Sequence, residues 1–531
     1  MQRLQTRRTP SRVFSLSAAL TSALLLSLAM PGHVGWWPLL FVGLVPLLYA
    51  VLHLPPMRCV CMGFFTGLVY HIVLLYWIVI VLGRYGGLPP WIAVPAMVLL
   101  ASYMSCYLAL FCVLLGFLAG RYRQRERSVA TLVWTAPVLW VGLDYLRGTL
   151  MTGFPWMDLG YGLYGQPQLI QAADLGGHHL ITFSLVLCNG LIVAIIDRQH
   201  SHVRWNIRLE RRVLLAAGCF LVFVGGYSLL RYQVMPSVAA RALQAEVAVV
   251  QGNIDQKEKW TPGKKAETVE TYRTLSRRAL ADKTTELLVW PETALPFYPQ
   301  LDPLAAQVTD FTRRENVWLL TGAPAFTRGE YAADGEGKID YFNSALLINP
   351  SGEVAGRYSK QHLVPFGEYV PLRSYLPFLE PLVVSVGDFT AGSSSRPLVM
   401  ERMKLGVLIC FESIFPEIAR NEAANGANLL VNLTNDAWYG RSSAPYQSMS
   451  MAVFRAVETK RSLIRAANTG ISGFVDPSGN ILKKTGLFEE TFVSARVPIL
   501  EKQTVFTRSG WRFGAVCLAL IPVLLIFQRR K

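Results

Sequence analysis

Long apolar runs fill most of the first 230 residues of this 531-residue chain, and one more run lies near its end. Each run approaches or exceeds the ~20 residues that an α-helix needs to cross the hydrocarbon core of a bilayer. We therefore predict a membrane helical bundle of eight transmembrane helices. The predicted helices cover residues 14–30, 36–54, 59–82, 91–119, 129–147, 180–196, 213–230 and 511–527.

Two alternatives to this count stay open. The first run follows Arg3, Arg7, Arg8 and Arg12, as the apolar part of a secretory signal peptide would. We favour a retained helix, because further apolar runs follow at once and no small-residue cleavage site precedes a polar segment. One run can also be a re-entrant or buried segment, although basic residues at both chain ends agree better with an even number of spans.

The basic residues indicate how the spans are oriented. Lys and Arg concentrate in cytoplasmic loops of membrane proteins, and here every second loop is basic. We therefore predict that both termini are cytoplasmic and that residues 231–505 lie on the opposite, outer side of the membrane. The net charge of +16 comes largely from these loops, so we do not expect binding to nucleic acid. The basic segments are the N-terminus, Arg58, 121–127, 198–212 and 529–531.

Residues 240–500 have a different pattern, in which short β-rich runs alternate with turn residues. Helical patterns at 266–281 and 444–457 lie between some of these runs. This alternation predicts an α/β domain. The predicted organisation is a bundle of seven spans over 1–230, this α/β domain over 231–505, and a C-terminal transmembrane helix with a cytoplasmic tail over 506–531. The β-rich runs are 246–251, 287–290, 317–321, 345–348, 405–410, 429–433 and 474–477.

Three short segments of this domain carry candidate chemistry. Glu292 ends a buried strand, Lys360 lies in a loop rich in Pro and Gly, and Cys410 ends another buried strand. α/β folds commonly place reactive groups at such strand ends. Each residue alone also fits an ordinary role, as a surface charge or as an inert core thiol. Cys410 is the one cysteine in the polar stretch, so it has no disulfide partner there.

Taken together and in this order, the three segments resemble the nitrilase (carbon–nitrogen hydrolase) superfamily, whose catalytic triad is Glu–Lys–Cys. The sequence Lys-Gln-His-Leu-Val-Pro-Phe-Gly-Glu at 360–368, Gln-Gly-Asn-Ile at 251–254 and the flanking spans resemble the apolipoprotein N-acyltransferase family. This resemblance covers essentially the whole chain. It implies a nitrilase-like αββα sandwich inserted between the seventh and eighth of eight transmembrane helices.

The resemblance assigns Cys410 as the nucleophile, Glu292 as the general base and Lys360 as the third member of the triad. These roles agree with the chemistry of a thiol, whose pKa of about 8.5 leaves it mostly protonated at neutral pH. A nearby cation lowers that pKa, and a carboxylate can accept the proton during attack. A fixed ammonium can then stabilise the tetrahedral oxyanion.

Four further residues match supporting positions of the family. We expect Glu368 to orient Lys360, and Glu412 to shape the pocket or to contact the acceptor; either can instead form a structural salt bridge. Phe411 stands where many members have tyrosine, and we expect its ring to line the site. Trp260 matches a position near the substrate entrance, although it also fits a core aromatic residue.

Other polar and aromatic residues have weaker assignments. Trp156, in the aromatic loop 148–179, is expected at the bilayer interface, where it would form a lipid-facing gate with residues 371–384. Asp144 and Arg147 can contact a lipid headgroup or form a structural pair. Asn435 and Asp436 are expected to organise turns by hydrogen bonds to the backbone.

The function implied by the resemblance is transfer of a fatty acyl chain from a phospholipid, through a cysteine thioester, to the α-amine of the N-terminal diacylglyceryl-cysteine of an apolipoprotein. This is the last step of lipoprotein maturation, and we expect a monomer without metal or cofactor. The residues alone indicate only acyl transfer at a cysteine. A membrane-tethered amidase or nitrilase that hydrolyses a carbon–nitrogen bond therefore remains an alternative. A transporter is disfavoured because the spans contain few polar residues and no repeat.

Overall fold

The computed structural model describes residues 11–32, 34–124, 132–200, 207–282, 284–331, 337–369 and 389–527. The basic segments predicted at 3–8, 125–127 and 529–531, and the predicted gate segment 371–384, lie outside these ranges. The chain forms two compact units. One comprises Met1–Tyr76, Val94–Leu230 and Arg512–Lys531, and the other comprises Trp77–Ala93 and Arg231–Trp511.

Residues 11–241 are mainly helical wherever the structure describes them. Most of these helices belong to the first unit, whereas the helical residues within Trp77–Ala93 and those from Arg231 onward belong to the second. The helices are α1 Arg12–Ala29, α2 Val45–His53, α3 Pro56–Leu75, α4 Trp77–Ile80, α5 Pro90–Gln124, α6 Thr135–Thr149, α7 Pro167–Ile170, α8 Ala173–His200 and α9 Ile207–Arg241. The last helix of the chain, Phe513–Phe527, returns to the first unit.

Within the described ranges, five helices are long and apolar enough to cross a membrane. They are Arg12–Ala29, Pro56–Leu75, Pro90–Tyr122, Ala173–Gln199 and Glu210–Arg241. The other three predicted spans correspond to shorter helical segments, Trp37–His53, Thr135–Thr149 and Gly510–Ile526. The membrane helical bundle is therefore confirmed in outline, and the count of eight spans stays a prediction.

The second unit contains two six-stranded sheets. Their strand orders are β12-β1-β2-β3-β4-β5 and β11-β10-β9-β8-β7-β6. The strands are β1 Gln244–Gln251, β2 Leu287–Val289, β3 Trp318–Tyr331, β4 Gly337–Ile348, β5 Val354–Ser359, β6 Leu398–Met400, β7 Met403–Ile409, β8 Leu429–Thr434, β9 Ser462–Ala467, β10 Gly473–Val475, β11 Ile481–Lys484 and β12 Thr491–Pro498. The helices are α10 Lys265–Ala279, α11 Leu304–Glu315, α12 Pro416–Ala424, α13 Ala444–Thr459 and α14 Val505–Arg508, and Phe513–Phe527 is α15.

Alternation along the strands builds the layers of this unit, because successive side chains of a strand point to opposite faces. In β1, Val247 and Val249 enter a core shared by both sheets, whereas Ala248 and Val250 pack with α10 and α11. Helices α12 and α13 contact β7 and β9 of the second sheet. The predicted αββα sandwich is therefore confirmed.

The directions of the strands place each candidate residue at the carboxyl end of a strand in one of the two sheets. β2 and β3 are parallel, and two antiparallel steps through β4 give β5 the same direction. Glu292 follows β2 and Lys360 follows β5, so both lie at the carboxyl-end edge of the first sheet. Cys410 follows β7, which is parallel to β8 in the second sheet.

Candidate active site

Cys410 lies at a sharp turn directly after the buried strand β7. Its backbone φ of 53° is in the left-handed region, and the residue begins a short 3₁₀ helix, Cys410–Ile414. A residue other than glycine in this region is strained by about 1–3 kcal/mol, and such strain is typical of functional turns. The side chains of Asn432 and Ser413 donate hydrogen bonds of 3.4 and 3.1 Å to the Cys410 carbonyl. These bonds fix the turn that presents the thiol.

Glu292 is held in place from two sides. Its side chain is 7% exposed, and Oε1 accepts a 2.8 Å hydrogen bond from Nδ2 of Asn343 on β4. Buried Lys259 donates from Nζ to the Glu292 carbonyl at 3.2 Å and to Oγ1 of Thr293 at 2.6 Å. The carboxylate therefore has a fixed direction at the end of β2.

Lys360 is almost fully buried, at 1% exposed, and forms an ion pair with Glu368. The distance from Lys360 Nζ to Glu368 Oε2 is 2.8 Å. Glu368 also accepts hydrogen bonds from Asn343 Nδ2 at 3.0 Å and from the Val364 amide at 2.9 Å. Glu368 therefore occupies the place expected of a residue that orients Lys360. Asn343 joins the carboxylate of Glu368 to that of Glu292.

The electrostatics of the thiol differ from the expectation. Burial and the nearby Glu292 carboxylate raise the pKa of Cys410 to about 12, although the Lys360 ammonium acts in the opposite direction. Lys360 therefore lowers the pKa of Cys410 as expected, but burial and Glu292 raise that pKa by more. At neutral pH the thiol keeps its proton until a base accepts it.

The charges of the other two residues suit that proton transfer. Burial raises the pKa of Glu292, and Lys360 opposes this shift. Burial disfavours the ammonium of Lys360, but Glu368, Cys410 and Glu292 outweigh it and raise the pKa of Lys360. The site thus combines a neutral thiol, a carboxyl group with increased basicity and a permanent ammonium. This arrangement can generate a sulfur nucleophile and stabilise an oxyanion.

Glu412 is fully buried, and both of its oxygens are occupied. Oε1 accepts from the amides of Gln361 and His362 at 2.6 and 3.1 Å, and Oε2 accepts from the Ile409 amide at 2.7 Å and the Tyr358 hydroxyl at 3.0 Å. Four donors fill the usual capacity of a carboxylate. Glu412 therefore ties the loop of Lys360 to the turn of Cys410, which leaves no free position for contact with an acceptor.

Sequence reasoning missed two residues of this site. Asn343 lies within a strand and Lys259 lies in a turn, and neither has a local sequence pattern that marks a catalytic residue. Burial lowers the pKa of Lys259 to about 8, while Glu292 opposes this shift. A buried lysine next to a candidate carboxylate is visible only once the fold brings the two together.

The remaining predicted residues of this unit surround the site. Phe411 is buried and packs edge-on against Phe415, with ring centroids 5.3 Å apart. Trp260 is half-buried in the turn that contains Lys259. Asp436 forms a buried ion pair of 2.9 Å with Arg465, which is a contact between side chains and differs from the expected bond to the backbone. Asn435 bonds to the side chains of Gln256 and Asn468.

Trp156 belongs to the helical unit, where its side chain is 0% exposed. It stacks on Phe154 at 5.8 Å, and its carbonyl accepts a hydrogen bond from Arg147. The expectation of a lipid-facing side chain is therefore wrong, because the ring packs inside the unit. Buried Arg147 pairs with Asp144 at 3.3 Å and also with Asp158, so the structural alternative for this pair holds.

One group of side chains in the helical unit has the composition of a metal site. The ligand atoms of Asp158, His178 and His179 lie within 4.8 Å of one another. Asp158 already accepts from Arg147 and, at 2.9 Å, from His178 Nε2. A guanidinium on the same carboxylate opposes a second cation there. The expectation of no metal stays a prediction.

Comparison with known proteins places the chain in a family. The Carbon-nitrogen hydrolase model matches residues 246–502, and the Apolipoprotein N-acyltransferase N-terminal domain model matches residues 22–191. The apolipoprotein N-acyltransferase of Geobacter metallireducens is 41% identical over 97% of this chain and 95% of its own length. That of Azotobacter vinelandii is 32% identical over 93% of this chain and 92% of its own length. A solved carbon-nitrogen hydrolase from Helicobacter pylori G27 has 19% identity and a TM-score of 0.38, over 54% of this chain and 96% of that one. The relatives that align over almost their full length show that this chain belongs to the apolipoprotein N-acyltransferase family.

Proposed function

We propose that this protein transfers a fatty acyl chain from a phospholipid to the α-amine of the N-terminal diacylglyceryl-cysteine of apolipoproteins. The observation that carries the proposal is the partly buried Cys410 thiol at the end of β7, whose pKa responds to both Glu292 and Lys360. The names of the relatives supply the reaction class, and the site supplies a nucleophile, a base and a cation suited to it. The proposed cycle is ping-pong and passes through a thioester.

In the first half-reaction, Cys410 Sγ attacks the carbonyl carbon of the phospholipid ester. Because the resting thiol is protonated, Glu292 accepts its proton as the carbon–sulfur bond forms. The Lys360 ammonium stabilises the oxyanion of the tetrahedral intermediate. The carbon–oxygen bond then breaks, and Glu292 returns the proton to the departing lysophospholipid alcohol. The acyl chain is left on sulfur.

In the second half-reaction, the acceptor α-amine attacks the thioester carbonyl. Glu292 takes a proton from the amine as the carbon–nitrogen bond forms, and Lys360 again stabilises the oxyanion. The carbon–sulfur bond breaks, and the proton held by Glu292 passes to sulfur. The products are the N-acylated lipoprotein and the free thiol, so one carboxylate serves both halves.

Supporting residues act by fixing these three groups. Glu368 and Asn343 hold Lys360 and Glu292, whereas Glu412 joins the two loops that carry Lys360 and Cys410. We assign Phe411 to the lining of the site and half-buried Trp260 to its entrance. A single chain supplies all of these groups, which suits a monomer.

We also propose the topology indicated by the loop charges. The protein is a multi-pass protein of the bacterial inner membrane, its catalytic domain is periplasmic, and both termini are cytoplasmic. Support comes from the long apolar helices and from the alternation of basic loops. Single cysteines introduced into residues 231–505 and at the two termini test this topology. A thiol reagent that does not cross the inner membrane should label the former in intact cells and leave the latter unlabelled.

The activity test uses the purified full-length protein with phospholipid vesicles and a diacylated lipopeptide. Mass spectrometry should detect an acyl adduct on Cys410 before the acceptor is added and an amide product afterwards. Cys410→Ala should give neither, whereas Cys61→Ala, at an exposed cysteine of the helical unit, should give both. Release of free fatty acid or ammonia without amide product would instead support the amidase alternative.

A further inference from the structure

A short segment from the N-terminal half of the chain belongs to the catalytic unit. Residues Trp77–Ala93 follow α3 and precede most of α5, yet they cluster with Arg231–Trp511. The segment begins with α4 and continues as a π-helical turn, Val81–Tyr85. π-Helical turns are rare and occur frequently at functional sites.

This segment packs on the loop that follows β8. The ring of buried Trp77 meets Tyr439 edge-on, with centroids 5.0 Å apart, and Tyr85 meets Trp438 at 5.7 Å. Gly440 has a φ of 57°, and a Cβ there would lie 3.3 Å from Cγ2 of Ile80. Residues 438–440 therefore pack against residues 77–85 at three points.

Tyr439 in turn lies close to the reacting thiol. Burial raises the pKa of Tyr439, and the charges of Cys410, Asp436 and Glu292 add to this shift. Ile409, the residue before Cys410, pairs with Leu433 of the parallel strand β8, so Cys410 and the turn Asp436–Tyr439 follow neighbouring strands at the same edge of the second sheet. Asp436 starts the 3₁₀ turn of Tyr439 and is anchored by Arg465.

The chemistry of the thioester requires an apolar surface at this place. Once the carbon–sulfur bond has formed, the acyl chain extends from the carbonyl carbon on Cys410, and each CH₂ removed from water contributes about 0.8 kcal/mol. Trp77, Ile80, Val81 and Leu82 are apolar, and none of them is fully exposed. Tyr439 shares a sheet edge with Cys410 and Trp77 contacts Tyr439, so an acyl chain on Sγ that follows this edge would meet Tyr439 before Trp77.

We propose that Trp77 determines acyl-chain specificity: it braces Tyr439 beside Cys410, and the two rings form a wall against which the thioester's acyl chain lies. The inference rests on the proposed acyl transfer and adds the residues that recognise a long chain. Trp77 is thereby a positioning residue for Tyr439 and an apolar contact for the distal part of the chain. A short acyl chain ends before it reaches the Trp77 ring.

The test compares two donors with the same leaving group, p-nitrophenyl palmitate and p-nitrophenyl butyrate, on the purified full-length protein in detergent micelles. The readout is the rate of acyl-Cys410 formation, measured by mass spectrometry. Trp77→Ala should slow palmitoylation about tenfold relative to butyrylation, the size expected for lost contacts in an apolar pocket. Trp77→Phe should restore much of the ratio.

Trp91→Ala is the matched control, because Trp91 is in the same segment but is 76% exposed. It should keep the wild-type ratio of the two rates. Equal loss with both donors, or no loss with either, would overturn the assignment of Trp77. Tyr439→Ala offers a second route if Trp77→Ala does not fold, since it should also reduce the ratio. Failure of the wild-type protein to form acyl-Cys410 from either donor would count against the proposed function itself.

Discussion

Asn343 donates a 2.8 Å hydrogen bond to Oε1 of Glu292, the carboxylate assigned as the base. The same amide nitrogen reaches Glu368 at 3.0 Å. One neutral donor therefore joins the carboxylate of Glu292 to that of Glu368, the ion-pair partner of Lys360. Because both carboxylates carry negative charge when ionised, removing this donor affects their direction and their mutual repulsion together.

Asn343→Ala should lower the rate of acyl-Cys410 formation by about tenfold to a hundredfold, since the base loses its fixed direction. Stopped-assay mass spectrometry of the adduct measures this rate. Asn425→Ala removes an exposed asparagine of the same unit and should leave the rate unchanged. A normal rate in Asn343→Ala would show that Glu292 needs no such support.

The pH dependence of thioester formation should report the ionisation of Glu292. A protonated carboxyl cannot accept the thiol proton, so the rate should fall as pH decreases through the raised pKa of Glu292. Glu368 contributes to that increase. Glu368→Gln should therefore move the acid limb of the pH–rate profile to lower pH. An acid limb at the same or a higher pH would contradict the assignment.

Lys360→Met should reduce acyl-Cys410 formation by about a hundredfold or more, because the oxyanion loses its cation. The change also leaves Glu368 without its 2.8 Å partner, so thermal unfolding should be measured in parallel. Lys265→Met, at a partly exposed lysine paired with Asp302, is the control for charge removal. Wild-type rates in a folded Lys360→Met protein would remove Lys360 from the mechanism.

Glu422 should make the catalytic unit less stable as pH rises. Burial raises its pKa to about 8, with a further contribution from Glu412, and neither carboxyl oxygen has a hydrogen-bond partner in the described part of the chain. The unfolded chain releases this proton near pH ~4.3, so the folded state binds more protons between that pH and about 8. Stability contributed by the bound proton is present at low pH and declines across this window.

The melting temperature of the wild-type protein should fall as the pH rises from ~4.3 to about 8. Glu422→Gln should make this fall smaller. Intrinsic fluorescence of the purified protein on heating measures this difference. Glu417→Gln, on the same helix, serves as the reference substitution. An identical pH slope in the wild-type and Glu422→Gln proteins would show that Glu422 does not hold a proton in the folded state.

Asp158→Ala should destabilise the helical unit by about 3 kcal/mol or more, because it leaves the buried Arg147 guanidinium short of a partner. It also removes the acceptor of His178. Asp310→Ala breaks a 2.6 Å ion pair in which Asp310 is 51% exposed, and its effect should stay within about 1 kcal/mol. Thermal unfolding in detergent compares the two; equal effects would mean that the Asp158 network contributes little.

The sequence pattern was sufficient to place a site residue where that residue directly follows a continuous apolar strand. Glu292 and Cys410 follow β2 and β7, which are buried along most of their length, and their positions at strand ends follow from the pattern. Lys360 follows β5, an edge strand in which half of the residues are exposed, so only the family motif identified it. Asn343 acts on carboxylates distant in the chain, and strand periodicity carries no information about such partners.

Apolar and aromatic patterns did not distinguish burial in protein from exposure to lipid. The run 59–82 reads as one span, yet α3 ends at Leu75 and Trp77 packs on Tyr439. Trp156 has the surroundings of an interfacial aromatic residue but is fully buried. Both environments favour the same side chains, so the choice between them depends on tertiary contacts.

The protonated resting state of Cys410 has a consequence for the survival of the enzyme. Peroxides and disulfides react with thiolates far faster than with thiols. A cysteine whose pKa is about 12 is therefore protected from oxidation while no ester is bound. Its reactivity develops only when a carbonyl group and Glu292 act on it together, so the nucleophile can persist unoxidised between successive turnovers.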